Sequence, residues 1–207
     1  MMPSGDADAI EPGVLYTVSV APLPPPPAKN LIDNGDFTAW QPGAAAPDFF
    51  LPPDPGRGFS AIEPADGKTP ESKGVKQTWS ANDSIEAYTK VFRCWLTDLR
   101  PNTTYRLTLA VNNPSPKEIF LRAFQYNTRS AAEAENSTEV PPALAGIAIG
   151  QTEGFEEFSA EFKTGAEEVF CVLLAPKLRS PDVSFPSHCI WDSWRLTEVV
   201  GAPQPAQ

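Results

Sequence analysis

The sequence predicts an all-β chain: an antiparallel β-sandwich of the jelly-roll kind, preceded by an extended N-terminal arm. Three observations predict it. Between residues 30 and 199 about nine short runs alternate apolar and polar residues or are continuously apolar, the two patterns of half-buried and fully buried strands. Turn residues separate them at short spacing, and no long amphipathic period appears between them. The 24 prolines, about twice the usual share, cluster outside these runs.

Taken in order, residues 1–12 are small, acidic and aperiodic, and residues 14–20, Val-Leu-Tyr-Thr-Val-Ser-Val, have a strong strand pattern. Residues 21–27, Ala-Pro-Leu-Pro-Pro-Pro-Pro, must be extended polyproline II. A strand on a stiff spacer can pair with its own sheet or with a neighbour's. Residues 1–28 are therefore assigned to an arm, 29–200 to the sandwich and 201–207 to a tail.

Residues 30–40 are expected to form the opening strand, kinked at Gly35 within the turn sequence Asp33-Asn34-Gly35-Asp36. The stretch to about residue 73 reads as a long Pro-rich loop, pinned to the body by Phe49, Phe50, Leu51 and Phe59. A connection of that length is usually functional or contact-forming. Strands are expected over 75–79, 85–96 and 105–111, the last sending Tyr105, Leu107, Leu109 and Val111 inward. Further strands follow over 118–126, 144–150, 154–164, 169–175 and 189–199. A short helical turn is expected at 131–135. The run 169–175 is apolar throughout, as a central strand covered on both faces would be.

Sixteen basic and 26 acidic residues give a net charge of −10, which repels phosphate backbones and anionic lipid. Nucleic acid and membrane partners are set aside, and no apolar run approaches the roughly 20 residues a spanning helix needs. The N-terminus has neither the basic nor the apolar region of a secretory signal. Cys94, Cys171 and Cys189 lack metal-site or redox spacing and sit in apolar runs, so they are expected to be buried free thiols.

Catalysis finds little support, and the chain is not expected to be an enzyme. His188 is the only histidine, falls after Pro186 in an expected loop, and has no patterned nucleophile beside it. Glu156 with Glu157, and Glu167 with Glu168, are adjacent on expected strands and so point to opposite faces. No phosphate-binding loop or HExxH pattern occurs.

Three landmarks carry a family resemblance: residues 30–37 (Asn-Leu-Ile-Asp-Asn-Gly-Asp-Phe), 99–107 (Leu-Arg-Pro-Asn-Thr-Thr-Tyr-Arg-Leu) and 190–196 (Ile-Trp-Asp-Ser-Trp-Arg-Leu). In order and spacing the chain resembles carbohydrate-binding modules with the galactose-binding-like jelly roll. The resemblance spans roughly residues 30–199. It implies two antiparallel sheets, a non-catalytic binding role, and a structural calcium between the first and last strands.

Asp36 and Asp192 are the residues that could share such a calcium, since period two sends Asp192 inward with Trp194 and Leu196 and hard cations take carboxylate oxygens. Asp192 could equally accept backbone N–H or Arg hydrogen bonds. The position after Phe37, commonly acidic in the family, is Thr38 here.

Sugar binding calls for flat aromatic faces flanked by hydrogen-bonding groups. The candidates outside the clearest core pattern are Trp79, Tyr88, Trp95, Tyr126 and Trp191, with Trp191 the best placed for exposure because Trp194 must face the opposite side of a regular strand. Two roles follow. The favoured one is a surface component of an assembly, a decoration or fibre-like part of a bacteriophage virion. It would touch other chains through residues 1–28 and the Pro-rich loops, and host-surface glycans through the jelly roll. The alternative is a free-standing or enzyme-associated glycan-binding module, extracellular or at a cell surface.

Overall fold

The computed structural model describes residues 28–54, 60–79, 91–178 and 187–199; the arm strand and spacer, Phe59, Tyr88 and the tail lie outside them. The described chain forms two antiparallel sheets. The strands are β1 (Ser60–Asp66), β2 (Lys73–Trp79), β3 (Cys94–Leu96), β4 (Thr104–Asn112), β5 (Ile119–Tyr126), β6 (Ala143–Ile149), β7 (Phe155–Lys163), β8 (Cys171–Leu178) and β9 (Ser187–Glu198). Among the described residues one short helix, α1 (Ala131–Glu135), follows β5. One sheet has the order β1-β2-β9-β4-β7 and the other β3-β8-β5-β6. This is the predicted jelly-roll sandwich.

Alternation decides which side chains enter the space between the sheets. On β4, Tyr105, Leu107, Leu109 and Val111 are buried, while Arg106 points out and pairs with Glu161 on β7. Every residue of β8 is buried, as expected of a central strand covered on both faces. The core is rich in aromatics. Phe37, Phe50 and Phe92 surround Trp194, with ring centroids 6.0, 5.6 and 5.8 Å from the indole.

Several assignments change: of the strand expected over 85–96, only Cys94–Leu96 is strand among the described residues, and two changes are larger. Residues 60–66, expected to be loop, form β1; Pro64 is tolerated because an edge strand pairs on one side only. The opening segment docks on β9 as expected, but as a series of turns and not as a strand. Asn34 and Phe37 take left-handed backbone angles (φ 53° and 54°), and the Phe37 N–H closes a turn on the Asn34 carbonyl. The Asn30 side chain supplies what a ladder would have supplied. It donates to the Trp194 carbonyl at 3.0 Å and accepts from the Leu196 N–H at 2.9 Å, beside a Leu31 N–H to Leu196 carbonyl bond. Gly35 accepts the Trp194 N–H at 2.7 Å, and a Cβ there would stand 1.9 Å from the Trp194 carbonyl oxygen. Glycine is required by that approach.

β9 carries a bulge. Thr108 lies opposite Arg195 and Ala110 opposite Asp192, so three steps on β9 match two on β4. The extra residue is Ser193, at φ 53°. The bulge resets the parity of the strand. Trp191 and Trp194 consequently both point into the core and meet edge to face, 5.8 Å apart.

Candidate functional site

The outer face of the four-stranded sheet gathers the chemistry. Period two on β5 places Phe120, Arg122, Phe124 and Tyr126 on that face, opposite the inward Ile119, Leu121 and Ala123. The register brings Leu173, Ala175 and Lys177 of β8 beside Phe124, Arg122 and Phe120. Trp95 of β3 completes the row next to Leu173.

The face divides into a covered half and a shallower half. Val91 and α1, through Ala134, pack on Phe124, Tyr126 and Leu173, with Trp95 at their margin. Trp95 and Tyr126 meet edge to face at 5.5 Å. The helix is anchored by a three-donor clamp: Glu135 Oε1 accepts from Arg93 Nη2 at 2.7 Å, Arg93 Nε at 3.0 Å and Trp95 Nε1 at 3.1 Å. Farther along, Phe120 and Arg122 are half-buried, the guanidinium carbon 5.1 Å from the Phe120 ring centre. Their neighbours on β6, Ala148 and Gly146, are small and exposed, so the sheet has low relief there.

The five aromatic candidates thus separate. Trp95 and Tyr126 come together on this face. Trp79 and Trp191 are buried between the sheets, and Trp191 donates to the Gln77 side-chain oxygen at 2.9 Å. The expectation of an exposed Trp191 assumed a regular strand, and the Ser193 bulge removes that premise. Tyr88 lies outside the described residues. Phe120, Phe124 and Arg122 were not singled out from sequence, although the alternation of the 118–126 run put them in one register with Tyr126.

Asp36 and Asp192 each sit in a hydrogen-bond set of their own. The bulge turns Asp192 to the outer side of its sheet, where the β1–β2 turn closes over it and leaves it 0% exposed. Its carboxylate accepts the Lys68 N–H at 2.6 Å, the Ser72 hydroxyl at 2.7 Å and the Ser193 N–H at 2.5 Å. These donors meet the cost of burying the charge. Asp36 is exposed, its carboxylate accepting the Thr38 N–H and hydroxyl. Of the expected alternatives for Asp192, backbone N–H acceptance is the one observed.

His188 lies in β9 and not in a loop, paired with Thr78. The three cysteines are free and buried. Burial, assisted by the charge of Asp33, pushes the Cys94 thiol up from 9.0 to about 12, and burial raises Cys171 and Cys189 as well. The native state therefore keeps protons that the unfolded chain releases above pH 9. Stability is expected to hold below pH 9 and to fall as pH rises from there toward 12. Urea titrations across that range should show a shallower fall for Cys94→Ala than for the parent; equal slopes would remove Cys94 as a cause.

No family model matches the sequence, and no curated protein sequence matches it. Solved structures share its fold. One described as a CBM4 has a TM-score of 0.54 at 16% identity, over 81% of this chain and 99% of that one. A protein of Bacteroides thetaiotaomicron VPI-5482 reaches 0.57 at 11% identity, over 83% and 100%. The CBM22-1–CBM22-2 tandem of Paenibacillus barcinonensis Xyn10C reaches 0.55 at 12% identity, over 87% and 52%. The chain has the jelly-roll fold of such carbohydrate-binding modules.

Proposed function

We propose that this jelly roll is a non-catalytic glycan-binding module whose sugar-facing surface is the outer face of the four-stranded sheet. One observation carries the reading: half-buried Phe120 lies beside a low-relief strip at Gly146 and Ala148 that lets a pyranose ring approach, with half-buried Trp95 across the same face. Aromatic rings stack on the apolar face of a sugar, and the fixed polar groups around them orient it. Glu135 works as a clamp here, since Arg93 and Trp95 hold its oxygen. The fold shared with CBM4 and CBM22 structures supports the reading.

A glycan array with the protein as probe tests it, followed by calorimetry on any hit. Trp95→Ala and Phe120→Ala are each expected to weaken binding about 10-fold, a loss of roughly 1.4 kcal/mol per ring. Arg106→Ala, on the opposite sheet, is the control and should change nothing. Binding that survives both aromatic substitutions would end the assignment of this face.

A second reading concerns the setting in which the module works. The strand-plus-polyproline pattern of residues 1–28 and the Pro-rich connections favour a surface component of an assembly. The most specific form of that reading is a decoration or fibre-like part of a bacteriophage virion, with the sandwich turned toward host glycans. Deleting residues 1–28 is expected to abolish incorporation into particles while leaving the sandwich folded. Normal incorporation of the truncated chain would overturn it.

A further inference from the structure

Among the described residues the sheets end at β1, β3, β6 and β7, and β6 and β7 stand side by side where the sheets meet. The β1 edge is protected by Pro64, which has no N–H, and by charged Glu63 and Asp66. The β3 edge is different. Leu51 pairs with Arg93 through two reciprocal backbone bonds of 2.9 and 3.1 Å, opening a ladder on the side away from β8. Groups pointing to one side recur at every second residue of a strand, so Trp95 presents its N–H and C=O to that same side, its carbonyl also accepting the Cys94 thiol at 3.9 Å, and Thr97 follows just past the strand. Phe49, at φ 70°, turns the Leu51 segment away, and among the described residues no backbone group continues the ladder.

A cleft of about 310 Å³ runs along this edge. Lys29, Leu31 and Asp33 form one wall, and residues 94–99 the other, with Phe49 at the rim. Phe49 is 67% exposed and Leu51 37%, two of the four exposed large hydrophobics among the described residues. Ladder groups with no backbone partner among the described residues, beside exposed apolar side chains, are what an added strand covers.

We propose that this edge accepts residues 14–20 of a second copy of the chain, so that two copies exchange arms. The inference deepens the assembly reading above and rests on it. Residues 14–20 are neutral, alternate, and are rich in β-branched side chains, which suits strand addition beside Phe49 and Leu51. The geometry of the spacer argues for a second copy. Lys29, at the root of the arm, itself lines the cleft. Polyproline II advances about 3.1 Å per residue, so residues 21–27 carry the strand roughly 20 Å from that root. Such a reach carries the strand past the cleft at its own root, a partner's cleft can receive it, and reciprocal exchange would close the pair with twofold symmetry.

Light scattering of the full chain across a concentration series tests this, with thermal unfolding measured in parallel. The full chain is expected to dimerise. A chain lacking residues 1–20, Val18→Pro in the arm, and Thr97→Pro at the edge are each expected to be monomeric, with the melting temperature of the monomeric sandwich. A peptide of residues 12–21 should bind the shortened chain and fail to bind its Thr97→Pro form. A monomeric full chain whose melting temperature falls when the arm is removed would mean that the arm docks on its own body. A full chain that stays monomeric and insensitive to arm removal would overturn the exchange outright. If particles still incorporate the chain while Thr97→Pro leaves every association intact, the assembly reading stands and the β3 edge is not the acceptor.

Discussion

Asp192→Ala is expected to destabilise the protein by about 3 kcal/mol, because it strands three donors that the carboxylate now satisfies. For a chain of this size that is a fall in melting temperature of roughly 6–12 °C. The Lys68 N–H and Ser72 hydroxyl belong to the turn between β1 and β2, and the Ser193 N–H belongs to the bulge. One buried carboxylate thus ties the edge hairpin to the last strand and holds Ser193 in its left-handed conformation. Asp192→Asn keeps one acceptor and should cost less. The same arrangement predicts that prolonged chelation leaves the melting temperature of the parent unchanged, since hydrogen-bond donors already occupy the carboxylate. A melting temperature that drops on chelation and returns with calcium would refute this account. So would an Asp192→Ala variant as stable as the parent.

How far the sequence discloses such a site depends on whether the local pattern stays regular. β4, β5, β7 and β8 follow from alternation or continuous apolarity because each is held by neighbours on both sides or packs directly on the core. The residues that escaped are those where tertiary contacts override the period. Ser193 is an ordinary residue in sequence, yet as the bulge it sends Trp191 inward and Asp192 outward, reversing two assignments made by counting in twos. β1 contains a proline and reads as loop; pairing with β2 along its whole length makes it a strand. The opening segment was placed correctly against β9, but the Asn30 side chain does the pairing, and a strand pattern cannot register that. Trp95 and Tyr126 were legible as aromatics away from the core pattern. Phe120 and Phe124 do not stand out in sequence because a strand buried on one face does not say which face the sheet turns inward.

Glu135→Ala is expected to produce the other large effect, and to do so on two observables at once. Arg93 is buried, and its guanidinium is satisfied by Glu135 on one side and by the Pro52 and Val91 carbonyls on another. Removing the carboxylate leaves a buried cation without its counter-charge, a loss that runs to 3–5 kcal/mol in fully buried pairs. Glu135 retains some exposure, with a side-chain accessibility of 25%, so water recovers part of it and about 2–3 kcal/mol is expected here. Trp95 loses its indole acceptor in the same step, and α1 loses its anchor to β3. Affinity for a glycan that uses Trp95 should therefore fall together with stability. Glu135→Gln offers the discriminating comparison: its amide oxygen can still accept from Trp95 Nε1 but carries no charge for Arg93. If the clamp both stabilises the fold and orients the indole, Gln should recover most of the binding and only part of the stability. A Gln variant that recovers both equally would show that the charge on Glu135 contributes nothing beyond its hydrogen bonds.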